Sequence, residues 1–396
     1  MSHPITGFHQ CLSVPFEFPV YFHRDLFAPG NPLLVNTIDR LHESRRHRVM
    51  VCMDKGASRS WPHAEARIKA YFTAHQDILE LAGPIEIVIG GEQAKQELSG
   101  LTQMIDLMAK RRLARQSVVL IIGGGSILDM AGLAASLVHR GLRVIRMPTT
   151  VVGQNDVGVG VKTGIDLFGS KNFLGTFAPP FAVINDFDFL DRLPDREWVA
   201  GIAEAFKVAM IKDRAFFTYL CRNARALRER KPPLMEHLVI TCAKLHLDHI
   251  REGGDPFETG SARPLDFGHW SAHQLEVMSG YRLRHGEAVA IGIALDSYYA
   301  MRLGLIPKKA FTTLLTALNQ AGLPVWNKHL ATLKPDGTLA ILDGLNRFQE
   351  HLGGPLTITL PAPIGARTEV HTMNPSLIAE GIFYLKNAKP CSRHII

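Results

Sequence analysis

"VVLIIGGGSILDMAGLAAS" (118–136) sets an unbroken apolar run against three consecutive glycines and then a helical pattern. An apolar, Val- and Ile-rich run with no polar interruption reads as a strand buried on both faces, as in a parallel sheet covered by helices. Glycines placed directly after such a strand let backbone N–H groups approach a ligand. The start of the following helix favours negative charge there. Ser126 stands where a side chain can cap that helix, and Gly132 is expected to let the helix approach the sheet closely. Two readings stay open on these residues alone: a cradle for an anion, or a tight strand-to-helix turn.

The same texture extends on both sides. "RVMVCMD" (48–54), "IEIVIGG" (85–91) and "LRVIRMPTT" (142–150) read as further buried parallel strands, with helical patterns around 62–80, 93–113 and 126–139. That alternation predicts an α/β layer with crossover helices. After about residue 190 helical periodicity takes over and strand signals become few. The expected architecture is a Rossmann-like α/β domain over 1–190 and an α-helical domain over 191–396.

Composition bounds the function. At 396 residues, 46% apolar and 20% charged, the chain is globular and long enough for two cores. No run of eighteen apolar residues appears, so no membrane span is expected. The N-terminus lacks the pattern of a secretory signal. Five widely spaced cysteines without C-x-x-C fit reduced thiols in a cytoplasmic protein. The net charge of +7 comes from dispersed residues and suits an enzyme of phosphorylated anions better than a nucleic-acid binder.

Three further stretches carry chemistry. Asp54 ends its strand where an acid can hold ribose hydroxyls, which favours NAD over NADP, and Thr149 and Thr150 stand at another strand's carboxyl edge. The glycine-rich "GQNDVGVGVKTGIDLFGSKNFLGTF" (153–177) reads as a long loop holding Asp156, Lys162, Lys171 and Asn172, either a phosphate cradle or solvated surface. Glu204 and Lys207 stand three residues apart on an otherwise small and apolar helix. They form an intrahelical ion pair, or the carboxylate has another partner. In "LDFGHWSAHQLEVMSGYRLRHGEAVAIGIALD" (265–296), a helix from about 269 to 279 puts His269 and His273 on one face, and His285 precedes a helix of small residues. Two of these histidines with Glu204 offer an N,N,O set for a divalent metal with one side open. Histidines satisfied by hydrogen bonds are the alternative.

Taken together, "GEQAK" (91–95), "GGGSILD" (123–129), "RG" (140–141), "PTTVVGQNDVGVGVKTGID" (148–166), "KNFLGTF" (171–177), "GIAEAFK" (201–207), "LDFGHWSAH" (265–273) and "HGEAVAIG" (285–292) resemble the 3-dehydroquinate synthase family of sugar phosphate cyclases. The resemblance implies an NAD site of Asp54, Glu92, Lys95, Gly124, Gly125, Asp129, Thr149 and Thr150. It implies zinc, with cobalt as a substitute, on Glu204, His269 and His285. Catalytic and substrate groups would be Asp156, Lys162, Lys207, His273 and Arg263, with Lys171, Asn172 and, across a homodimer interface, Arg140. The implied reaction is phosphate elimination and aldol ring closure of a heptulose phosphate, with NAD returned unchanged.

The chain also departs from the family's pattern. Equal-length counting puts Asp248 where the dehydroquinate synthases carry a lysine, with Lys244 and His246 nearby. Asp266 replaces an asparagine, Arg263 lies one residue closer to His269, Val161 replaces a glycine, and the late basic stretch offers only Arg347. The segment after about 360 carries no clear signal. Losing cations disfavours a carboxylated substrate, so a cyclase of sedoheptulose 7-phosphate type leads, although such cyclases commonly lack the histidine present at His273. Genuine 3-dehydroquinate synthase follows. A metal-dependent alcohol or glycerol dehydrogenase and an inactive binding protein are the readings from other classes.

Overall fold

The protein was studied as a computed structural model, which describes residues 7–168, 170–253, 257 and 264–388. Its strands are β1 (Val20–His23), β2 (His47–Asp54), β3 (Leu79–Leu81), β4 (Glu86–Val88), β5 (Val118–Gly123), β6 (Arg143–Pro148), β7 (Lys162–Leu167), β8 (Ser170–Phe177), β9 (Ala182–Asp186), β10 (Ile358–Pro361) and β11 (Arg367–Val370). Seven form one sheet in the order β1-β9-β6-β5-β2-β3, with β4 pairing β2 beyond β3. Every pairing within it is parallel.

Alternate residues of the central strands divide between two cores. Val49, Val51, Met53, Val118, Leu120 and Ile122 pack with Ile68, Tyr71 and Phe72 on one face. Met50, Cys52, Val119 and Ile121 pack with Met104, Leu128 and Ala131 on the other. Burial on both faces is why these strands carry no polar alternation. The strand expected over 85–91 is shorter, because Ile87 and Ile89 are solvent-exposed. Register brings Gly123 beside Pro148 and Asp54 beside Val88, so the glycine turn, the threonines and Asp54 meet at the sheet's carboxyl edge.

Two local expectations change. The helix after β5 runs Gly125–Leu137 with Gly124 as its N-cap, and no side chain caps it. Ser126 therefore lies inside the first turn. Gly132 faces a threonine of β7 rather than the central sheet, since a Cβ there would lie 2.8 Å from Thr163 Cγ2.

The segment expected as a long loop is largely ordered. After a short helix, Val151–Asn155, its second half folds into the antiparallel β7–β8 hairpin. Gly164 and Gly175 are paired across that hairpin, and a Cβ on Gly175 would strike the carbonyl of Thr163. The glycines that read as loop signals allow two strands to press together. Arg146 of β6, 1% exposed, donates to the carbonyls of Gly160 (2.6 Å) and Lys162 (3.1 Å) and pins the entry to this hairpin.

Beyond β9 lie the helices Asp195–Lys212, Arg214–Arg228, Pro232–Glu252, His269–Met278, His285–Arg302, Lys308–Gln320, Asp343–Leu352 and Pro375–Asn387. They share one large apolar core. The β10–β11 hairpin adds two short strands to this region. Small residues set the closest approaches. A Cβ on Gly286 would strike Ala200 O, and one on Gly292 would strike Gly268 O. The first contact draws the start of the His285 helix against the helix carrying Glu204, and the second draws the start of the His269 helix against the His285 helix. Among the described residues no helix is long and apolar enough to cross a membrane.

Candidate active site

A cleft of about 1250 Å³ runs between the sheet's carboxyl edge and the helices. Asp54, Lys95, Gly124, Gly125, Asp129, Thr149, Thr150, Asp156, Lys162, Lys171, Asn172, Lys207, His269, His273 and His285 all line it. A smaller groove of about 650 Å³ beside Arg214 and Arg222 lies apart from these residues.

At the sheet edge the glycine turn leaves the first N–H groups of the Gly125–Leu137 helix without a side-chain cap. They remain available to an anionic ligand. Asp54 Oδ1 accepts from Ala57 N at 2.9 Å, which holds its carboxylate at the mouth of the turn. Thr150 Oγ1 accepts from Gly153 N at 3.0 Å and caps the next helix. Lys95 Nζ lies 2.7 Å from both Asp129 Oδ2 and Asn172 Oδ1, joining the expected cofactor residues to the β7–β8 hairpin. Glu92 begins the 3₁₀ turn Glu92–Lys95.

At the helical side Glu204, 0% exposed, faces two imidazoles. Its Oε1 is 3.2 Å from His285 Nε2 and 3.9 Å from His269 Nε2, and its Oε2 is 2.6 Å from Lys207 Nζ. Neither carboxylate oxygen is aligned for a hydrogen bond despite these short distances. The ligand atoms of Glu204, His269 and His285 lie within 4.8 Å of one another. Each imidazole is held from behind: His269 Nδ1 is 3.1 Å from Phe267 O, and His285 Nδ1 is 3.2 Å from Glu276 Oε2. Ring orientation by a carbonyl or carboxylate, with the other nitrogen aimed at a shared point, is how metal-binding histidines are supported. The donor set fits a divalent cation. His273, Glu276 and His285 form a second such group that shares His285.

The charges agree. Burial pushes Glu204 up, but Lys207 together with His285 and His269 outweighs it and holds the carboxyl at about 2. Burial lowers His285, yet Glu276 and Glu204 overcome it and raise it to about 10. Two buried carboxylates thus demand a positive charge here, met by a proton on His285 or by a metal that displaces it. Burial, reinforced by His269, keeps His273 well below the usual imidazole range. Asp156 is ionised because Lys207 and His246 outweigh its burial, with His246 Nδ1 at 2.7 Å and Lys207 Nζ at 3.8 Å. Lys171 Nζ donates to Glu276 Oε1 at 2.7 Å.

One expected residue stands elsewhere, and one is not among those described. Arg140 sits in a turn with φ of +64° and does not line the cleft, and Arg263 lies outside the described residues. Asp248 pairs with Lys244 at 2.6 Å and Arg251 at 3.0 Å, so it does not replace a cleft cation. His246, His249, Arg367 and Glu369 also line the cleft, and the sequence reading assigned none of them a role. The i,i+3 spacing of His246 and His249 could have flagged the two histidines as sharing a helix face; nothing local marked Arg367.

The chain matches the family models of the 3-dehydroquinate synthase N-terminal region over residues 86–200 and C-terminal region over 201–343. It belongs to the 3-dehydroquinate synthase family. Among its relatives is a 2-epi-5-epi-valiolone synthase of Streptomyces glaucescens, 33% identical over 349 residues, covering 88% of this chain and 85% of that one. A 3-dehydroquinate synthase of Solibacter usitatus is also 33% identical, over 326 residues, covering 81% and 86%. Among solved structures, ValA, the 2-epi-5-epi-valiolone synthase of Streptomyces hygroscopicus subsp. jinggangensis 5008 with NAD+ and Zn2+ bound, superposes with a TM-score of 0.85. It is 27% identical, with 96% of this chain and all of that one covered.

Proposed function

We propose that this protein is a sugar phosphate cyclase that uses NAD and a divalent metal, zinc or cobalt, to convert a heptulose phosphate of the sedoheptulose 7-phosphate type into a carbocycle. The carrying observation is the buried Glu204–His269–His285 set opening onto the same cleft as the uncapped glycine turn. When bound, NAD supplies a reversible hydride acceptor and the metal a Lewis acid for neighbouring substrate oxygens. Gly124, Gly125, Asp129, Thr149 and Thr150 cradle the dinucleotide, Asp54 takes its ribose hydroxyls, and Glu92 and Lys95 complete that side.

Lys162, Lys171, Asn172 and His273 surround the substrate and its phosphoryl group. Asp156, ionised, and Lys207, protonated, face the cleft as a proton acceptor and a proton donor for the substrate. Elimination passes a proton from the carbon next to a transient ketone to an oxygen of the departing phosphate as the phosphate C–O bond breaks, and ring closure follows within the same cleft. Net redox change is zero. Arg140, turned away from its own cleft, suits a residue offered to a second copy in a homodimer. Asp266, half-buried and lining the cleft, supports a substrate without a carboxylate, whereas the equal likeness to a 3-dehydroquinate synthase keeps that enzyme as the second reading.

The test is incubation with NAD and zinc, separately with sedoheptulose 7-phosphate and with the heptulosonate phosphate, following free phosphate and NADH. Phosphate release without lasting NADH is expected from the first sugar. Release from the second alone selects the 3-dehydroquinate synthase. Release from neither, with NADH formed from glycerol-like alcohols, overturns the cyclase.

A further inference from the structure

One corner of the cleft is lined by His246 and His249 of the helix Pro232–Glu252 and by Arg367 and Glu369 of β11. It exists because the C-terminal hairpin is seated on the end of the Asp195–Lys212 helix. The β10–β11 turn donates Gly365 N–H to Met210 O at 2.8 Å. Gly365 holds φ of +86°, and a Cβ there would lie 2.6 Å from Arg214 N, so the turn requires glycine. Two residues on, Arg367 pairs with Pro361 in register and reaches the cleft.

Four other cations of the cleft are matched by acids: Lys95 by Asp129, Lys171 by Glu276, Lys207 by Glu204, and Arg284 by Glu197. Arg367 and His249 make no ion pair or side-chain hydrogen bond among the described residues. His249 faces Lys212, Arg367, His246 and Lys162; its burial and those charges drive it down to about 4. Of the nearby acids, Asp156 holds His246, and Asp248 and Glu252 act on Lys212 and Arg251. Glu369, two residues along β11, shares a strand face with Arg367 and lines the corner without forming an ion pair with it. An unmatched guanidinium beside an imidazole kept neutral by surrounding positive charge is a receptor for an anion.

We propose that Arg367 and His249 form an anion-binding corner that seats an oxyanion of the substrate, either its phosphoryl group or the carboxylate of a sugar acid. The assignment to substrate rests on the cyclase reading. The guanidinium offers paired donors to two oxygens, and the arriving charge offsets the positive field at His249. Binding therefore takes up a proton in mildly acid solution.

The test titrates inorganic phosphate calorimetrically into the full chain loaded with NAD and zinc, in two buffers of different ionisation enthalpy. Wild type is expected to bind phosphate with proton uptake, and R367Q to bind about 10- to 100-fold more weakly. R367K retains part of the affinity, H249Q binds without the proton uptake, and R347Q, outside the cleft, matches wild type. A rise in KM of R367Q for both sugars assigns the corner to the phosphoryl group; a rise for the heptulosonate phosphate alone assigns it to the carboxylate. Phosphate affinity and KM unchanged in both R367Q and H249Q, or no phosphate binding by wild type, overturns the proposal. Weakened phosphate binding in R367Q, with no phosphate release from either sugar by wild type, keeps the corner and overturns the cyclase reading.

Discussion

At the Gly123–Gly125 side of the cleft the groups that face a ligand are mostly backbone, whereas around Glu204, His269 and His285 they are charged side chains withdrawn from water. The first side depends on what is missing: no Cβ on the glycines and no side-chain cap on the helix. The second depends on mutual compensation, with Glu204, Lys207, Asp156, Glu276 and His285 each balancing a neighbour. A backbone cradle tolerates conservative change nearby. A network of buried charges does not, because removing one member leaves another unpaired in a low dielectric.

Four experiments bear on this contrast, in falling order of effect. Glu204→Gln removes the shared carboxylate charge while keeping its shape; metal content measured after dialysis should fall to background and turnover drop by about 10³-fold or more. Retained metal and turnover would make the His273–Glu276–His285 group the working one.

The second concerns Asp296, behind the histidines, which accepts from Trp270 Nε1 at 2.8 Å and Gly268 N at 3.1 Å. Burial raises it from 3.8 to about 7 against those two hydrogen bonds. A raised carboxyl stabilises the fold below its unfolded pKa, and that stability is lost as pH rises through the folded value. Between about pH 4 and pH 7, wild type should lose up to about 4 kcal/mol of unfolding free energy relative to Asp296→Asn. Denaturant melts at several pH values measure this, and parallel curves would refute it.

Third, Glu276→Gln keeps the metal ligands but loosens the imidazole behind them, and should weaken metal affinity about 10- to 100-fold in competition with a chelator. The smallest effect belongs to the glycine side. Asp54→Ala deletes a helix cap worth about 1 kcal/mol in a thermal melt. It should also raise the NAD dissociation constant about tenfold, as the lost ribose contact predicts. A larger loss at Asp54 than at Glu276 would invert the comparison.

The two regions also differed in how readable they were. Strands β2, β5 and β6 were legible because continuous Val and Ile runs have no other stable home than a sheet covered on both faces. The His269 helix was legible from i,i+4 spacing. The β7–β8 hairpin was hidden because its glycines answer to a cross-strand contact between Gly164 and Gly175, which no local pattern reveals. Glu204 stood out as an acid among small apolar residues, but its neighbours across the cleft did not. Arg367 was invisible, since its place depends on Gly365 docking against a helix more than 150 residues earlier.

By itself, then, the sequence determined the periodicities, the glycine turn and the inventory of acids and imidazoles, because these are properties of neighbouring residues along the chain. Only the tertiary structure decided which of them meet. Helices brought into contact at Gly286 and Gly292 place His285 and His269 against Glu204, and the hairpin carries Arg367 to the cleft. Coulombic and metal-ligand interactions depend on distances of a few ångströms in space, and those distances are set by packing between elements remote in sequence.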